Sequence, residues 1–217
     1  MKSEVKFKKV VDNKTQAFVE NICNGFKKEL EEACIEIGED LLQYRERTMS
    51  SILFPVLEKN STKTLMEVGF LKDDKRRSLD FYSLDKNNER CYFIEFKHCF
   101  DKSSVKHLAK YNLQKWEKVN EQIKDLNVDT SGYIDGNKDM FGISIFMIVV
   151  QTDFKELEKE SNNDRYSKLY NKINEQFLEA DWYWIYKTPE KLIKLPKDKK
   201  NLFYSNVAFI GIINEVK

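Results

Sequence analysis

One apolar run, Ile143-Ser144-Ile145-Phe146-Met147-Ile148-Val149-Val150, dictates more of this chain's architecture than any other part of it. It has the length of a strand and shows almost no polar alternation, so neither of its faces is suited to water. Such a segment is a central strand covered on both faces. The covering layers are visible in the pattern before it. From about Thr15 to Lys59, Phe18, Ile22, Phe26, Leu30, Cys34, Ile37, Leu41, Tyr44 and Thr48 recur at steps of three and four, the period of an amphipathic helix. Gly25, Gly38 and Pro55 are the expected breaks, dividing the stretch into two or three helices. A second stripe, Val105, Ala109, Leu113, Trp116, Val119, Ile123 and Leu126, predicts another helix, capped by Ser103 or Ser104 and ending before Ser131-Gly132.

Between the two helical regions lie three short segments of strand formers, Thr64 to Phe70, Ser78 to Leu84 and Cys91 to Lys97. The polar clusters Lys72-Asp73-Asp74-Lys75 and Asp85-Lys86-Asn87-Asn88 separate them as hairpin turns, giving an antiparallel meander. After the central strand come a charged helix from about Phe154 to Leu178, a strand at Asp181 to Lys187, a Lys/Pro-rich loop and a last apolar segment from Phe203 to Ile213. At 217 residues this is one domain, with a core over about 15–150 and a C-terminal extension over 151–217.

Apolar residues at 41% exclude a disordered chain, and a net charge of +1 excludes a binder that works by overall basicity. Any nucleic-acid surface must then be local. Basic residues cluster at Lys72, Lys75, Arg76 and Arg77, at Lys102, Lys106, Lys110, Lys115 and Lys118, and from Lys194 to Lys200. Cys23, Cys34, Cys91 and Cys99 lack the paired spacing of zinc sites and read as reduced, buried thiols. The N-terminus has no apolar signal core and no stretch is long enough to span a membrane, so a cytoplasmic location is expected.

Chemistry concentrates in Tyr92-Phe93-Ile94-Glu95-Phe96-Lys97. Alternation puts Glu95 and Lys97 on one face of the strand and Tyr92, Ile94 and Phe96 on the other. Charges inside so apolar a strand are costly unless paired or bound to a metal. The neighbouring hairpin strand brings Asp80 close to Glu95, where two carboxylates can share one hard cation such as Mg²⁺. The same carboxylate-x-lysine pattern recurs at Glu4-Val5-Lys6, Asp73-Asp74-Lys75, Asp153-Phe154-Lys155 and Glu215-Val216-Lys217. Only the copy at 95–97 lies in an apolar strand that follows an Asp-bearing strand at hairpin distance.

Asp80 followed by Glu95-Phe96-Lys97 resembles the D…ExK motif of the PD-(D/E)XK, or restriction-endonuclease-like, nuclease superfamily. The inferred αβββαβ order resembles that family's core, although Leu79 stands where the family name has proline. The resemblance implies an α/β three-layer fold, a central mixed sheet flanked by helices, with a C-terminal helix and strands added. It implies a Mg²⁺-dependent nuclease acting on DNA, with Mn²⁺ as a substitute ion and RNA left open as a partner. Asp80, Glu95 and a helical glutamate would hold the metal, and Lys97 would assist the attacking water. Glu46 is preferred to Glu39 for the helical position because it lies nearer the meander. Lys110, Gln114 and Lys118, on one helical row, are expected to face the substrate. His98 points away from the site and is expected to pack or hydrogen-bond rather than catalyse, and His107 has less claim still. Trp182-Tyr183-Trp184-Ile185-Tyr186 is expected in the core rather than stacked on bases. The alternative is an inactive module of the same fold that binds nucleic acid or protein. A homodimer is what symmetric cutting of a duplex would require.

Overall fold

The computed structural model describes residues 4–72, 75–87, 89–124, 126, 138–193 and 202–216, with residues 70–72 and 75–77 by backbone alone. The strands are β1 (Lys6–Phe7), β2 (Ser61–Lys72), β3 (Lys75–Asp85), β4 (Arg90–Lys102), β5 (Asp139–Asp153), β6 (Trp182–Lys187), β7 (Leu202–Gly211) and β8 (Ile213–Val216). The helices are α1 (Asn13–Ile37), α2 (Glu46–Asn60), α3 (Lys110–Lys124), α4 (Phe154–Lys159), α5 (Asn162–Gln176) and α6 (Glu190–Ile193). The strands make one mixed sheet in the order β1-β6-β7-β5-β4-β3-β2, with β8 also paired to β5. Among the described residues, β4 and β5 run parallel and the other strand pairs are antiparallel.

Helices cover both faces, which is what the apolar run in β5 demands. On one face, Phe18, Ile22 and Phe26 of α1 and Leu53 and Leu57 of α2 join Tyr92, Ile94, Phe96 and Phe209 in a buried cluster. On the other, Trp116, Val119 and Ile123 of α3 and Leu169 and Ile173 of α5 pack with Phe93, Phe146 and Ile148. The fold is therefore α/β, a mixed central sheet between helical layers. No helix among the described residues is long and apolar enough to cross a membrane.

Several local expectations needed correction. Gly25 does not break α1. A Cβ there would lie 2.5 Å from Val56 Cγ1, so this glycine lets α1 and α2 approach closely. Gly38 does end α1, at φ 77°, with its N–H donating to the Cys34 carbonyl. Pro55 stays inside α2; the carbonyl it leaves unbonded belongs to exposed Ser51, where water can reach it. The helix expected from Ser103 or Ser104 starts only at Lys110, because β4 keeps pairing with β5 as far as Lys102 opposite Gln151. Ser103 is instead buried, its hydroxyl donating to Glu156 at 2.7 Å, while Val105 and Ala109 are exposed. The charged helix expected over 154–178 is two helices, because Ser161 and Asp164 form a capping box that starts α5 afresh.

The meander is antiparallel as expected, but its two ladders differ in extent. The β2–β3 pairing runs on to Lys72 opposite Lys75, whereas β3 and β4 pair only from Leu84/Cys91 to Phe81/Ile94. Beyond Phe81/Ile94 no further β3–β4 pair is formed among the described residues, while β2 and β3 stay paired with each other as a hairpin. The basic residues Lys72, Lys75, Arg76 and Arg77 stand in its far end. The second half of β4 keeps β5 on one side and loses its strand partner on the other. Asp73, Asp74, Asn88, the Ser131-Gly132 loop and the Lys194–Lys200 cluster lie outside the described residues.

Candidate active site at the open edge of β4

A strand edge without a partner leaves backbone donors and acceptors that must be met some other way. Along β4 beyond Ile94, side chains meet them. Asp80 Oδ2 accepts the Phe96 N–H at 2.8 Å. Lys97 Nζ donates to the Phe96 carbonyl at 3.1 Å. Glu46 Oε2 accepts the His98 N–H at 3.1 Å. Lys115 Nζ donates to the His98 carbonyl at 2.9 Å, and Asn112 Nδ2 to the Phe100 carbonyl at 2.9 Å. Residues from β3, α2 and α3 thus converge on one edge. Glu46, the first residue of α2, comes from the helical layer opposite to α3 and reaches the edge through the gap that β3 leaves.

Lys97 is the centre of this group. Its ammonium lies 2.9 Å from Glu95 Oε1, 3.4 Å from Glu46 Oε1 and 3.5 Å from Asp80 Oδ2. Three carboxylates and one ammonium leave a net charge of −2 when all are ionised. The Glu95 side chain is only 3% exposed, while those of Asp80, Glu46 and Lys97 are between a quarter and two fifths exposed, so the group opens to solvent on one side. Glu95 Oε2 is buried and no donor reaches it at ideal bonding geometry, although the Asp80 N–H, with Lys97, favours the charged carboxylate. Burial, and then the negative charge of Asp80, push the Glu95 carboxyl above its ordinary pKa against the pull of Lys97. Burial works against the Lys97 ammonium, but Glu95, Asp80 and Glu46 outweigh it and hold the group charged.

Among the described residues, no three His, Cys, Asp or Glu side chains stand in a cage ready for a metal ion. Around β4 the reason is visible: Lys97 Nζ takes the central place, and Asp80 and Glu46 are each turned onto a backbone N–H. The donor set nevertheless suits a hard divalent ion. It is all carboxylate, and its net charge matches +2.

Asp80, Glu95, Lys97 and Glu46 are thus brought together. Glu39 is elsewhere, accepting from the Tyr44 hydroxyl at 2.7 Å. Lys110, Gln114 and Lys118 lie exposed on the outer row of α3. The α3 residues on the β4 edge are Asn112 and Lys115, one step round the helix. Their signal was Trp116 and Val119, which fix the packed side of α3 and with it the row beside it. His98 is buried edge-on to Phe100, its ring pKa lowered to about 4 by burial and by Lys115. His107 is exposed and pairs with Gln176 at 2.9 Å. Trp182 to Tyr186 are buried in β6, and all four cysteines are buried and free.

Comparison with models of protein families, with curated proteins and with solved structures found no match to this chain.

Proposed function

We propose that this protein is a Mg²⁺-dependent nuclease that hydrolyses phosphodiester bonds in DNA, with a core of the restriction-endonuclease-like, PD-(D/E)XK type. The observation that carries the reading is Glu95. A nearly buried carboxylate set against two further carboxylates and a lysine, its pKa raised by burial and by the charge of Asp80, is costly for the fold. A cation-dependent reaction gives that cost a use. The helix, three-strand meander, helix and parallel strand around the group support the same reading.

Asp80, Glu95 and Glu46 would hold the metal, with Mn²⁺ able to replace Mg²⁺. When bound, such an ion polarises a phosphate oxygen and lowers the pKa of a coordinated water. The chain's own residues do the rest. Lys97 Nζ, freed from the carboxylates, donates to the attacking water or to a phosphate oxygen and offsets charge that develops there. Phe96 and His98 N–H groups fix Asp80 and Glu46 through bonds to their carboxylates, so these side chains keep their place as Lys97 moves. The exposed parts of Asp80, Glu46 and Lys97 give the group a solvent-facing side by which a phosphate would enter.

One observation favours the alternative, an inactive module of this fold: Lys97 already neutralises part of the cluster, as a structural ion pair would. Calorimetric titration of Mg²⁺ and Mn²⁺ into the wild type and into Asp80→Asn, beside cleavage assays on mixed DNA substrates, separates the two. The nuclease reading expects metal binding and cleavage, both lost in Asp80→Asn. An inactive module shows neither in the wild type.

A further inference from the structure

The first turns of α3 carry a feature that the carboxylate group does not use. Tyr111 is 66% exposed. The Lys115 ammonium lies 5.1 Å from the centre of that ring and also donates to the His98 carbonyl. The N–H of the same residue, His98, donates to Glu46. Tyr111 therefore stands three contacts along the open edge of β4 from the nearest carboxylate, by way of Lys115 and His98. Around it, Lys110, Lys115 and Lys118 face a single acid, Glu117, within the first turns of α3. Tyr111, Gln114, Lys115 and Lys118 are neighbours at helical steps of three, four and seven.

We propose that Tyr111 and Lys115 form a nucleotide subsite that selects a single-stranded nucleic acid, the ring stacking on an unpaired base and the ammonium meeting the adjoining phosphate. This rests on the nuclease reading for the position of the scissile phosphate and adds the substrate class to it. A duplex keeps its bases stacked on each other and offers Tyr111 no free face. A single strand, or a frayed end, does offer one, and an aromatic platform beside lysines accepts it without regard to sequence. Lys115 is well suited to the phosphate because its bond to a neutral carbonyl can be exchanged for one to an anion.

The test is binding of a fluorescein-labelled oligothymidylate and of a blunt duplex, followed by anisotropy in EDTA, so that neither metal nor turnover enters. Tyr111→Ala should weaken oligothymidylate binding about 5-fold or more, while Tyr111→Phe keeps it within about 2-fold. Duplex binding should change by less than about 2-fold in both. Lys115→Gln should weaken oligothymidylate binding and flatten its salt dependence. Equal losses on single strand and duplex, an unchanged affinity in Tyr111→Ala, or no oligothymidylate binding by the wild type would each overturn the proposal. Cleavage assays on the same preparations keep the two readings apart. Absence of metal-dependent cleavage would sink the nuclease reading while a Tyr111-dependent preference for single strands stood, and the reverse pattern would do the opposite.

Discussion

Replacing Lys97 by methionine isolates the ion-pair argument, because it keeps the length of the side chain and removes the charge. Three carboxylates then face one another, and the most buried of them, Glu95, loses the ammonium paired with it. Removing one member of a fully buried pair costs about 3–5 kcal/mol, whereas an exposed pair is worth under about 1 kcal/mol. Glu95 belongs to the first class, and Asp80 and Glu46 lie nearer the second. The expected cost in EDTA is therefore about 2–3 kcal/mol. With a urea slope of about 2 kcal/mol/M, the unfolding midpoint should fall by about 1–1.5 M. Part of that loss should vanish at low pH, where Glu95, whose pKa is already raised, takes up a proton. A divalent ion now has no ammonium to displace. Mn²⁺ at about 100 times its dissociation constant should restore about 2.7 kcal/mol, and it should bind the variant more tightly than the wild type while cleavage is lost. Urea titrations of both proteins, with EDTA and with Mn²⁺, read all of these quantities. Equal midpoints in EDTA would refute the ion-pair reasoning, and a variant midpoint indifferent to Mn²⁺ would refute the metal site.

Asp80→Asn should keep the bond to the Phe96 N–H through its amide oxygen, so its urea midpoint in EDTA should stay near that of the wild type while Mn²⁺ no longer raises it; a large loss of stability in EDTA would count against this. Lys172→Met strands Asp101, since both side chains are 5% exposed and paired, and should cost about 3–5 kcal/mol in chemical denaturation. The double variant Lys172→Met/Asp101→Leu should recover most of it; a double variant as unstable as the single would contradict the burial argument. His98 stays neutral in the fold down to pH about 4, whereas the unfolded chain protonates near pH 6.5. The wild type should therefore lose stability as pH falls from about 6.5 to 4, by up to about 3 kcal/mol. The difference between wild type and His98→Phe, both in EDTA, should shrink over that window, and a constant difference would exclude His98 as the cause.

The parts that could be read from the sequence are those where a pattern states its own environment. Ile143 to Val150 has no polar face, and it is buried beside β4 and β7. Alternation alone separates Glu95 and Lys97 from Tyr92, Ile94 and Phe96, and the structure divides them in the same way. The misreadings share a different cause, a tertiary neighbour that a pattern cannot name. Gly25 looked like a helix break because nothing in the sequence says that Val56 needs its missing side chain. Ser103 looked like a cap because nothing says that β4 pairs with β5 through Lys102. Lys115 carries no mark in the sequence that sets it apart from Lys110, Gln114 and Lys118; its place on the β4 edge comes from the packing of Trp116 and Val119.

The position of the candidate site follows from where a ladder stops. Had β3 continued to pair with β4 beyond Phe81/Ile94, the Phe96 and His98 N–H groups would have gone to strand carbonyls. Asp80 and Glu46 would then have had no reason to turn inward. Because β3 leaves, the carboxylates serve as acceptors for the edge, and that holds them beside Glu95 whether or not a cation is present. The fold thus tolerates a concentration of negative charge by giving each partly exposed member a backbone hydrogen bond, and by giving Lys97 to all three. Glu95, the most buried of the three, has the Lys97 ammonium and the Asp80 N–H beside it, and burial still raises its carboxyl above its ordinary pKa.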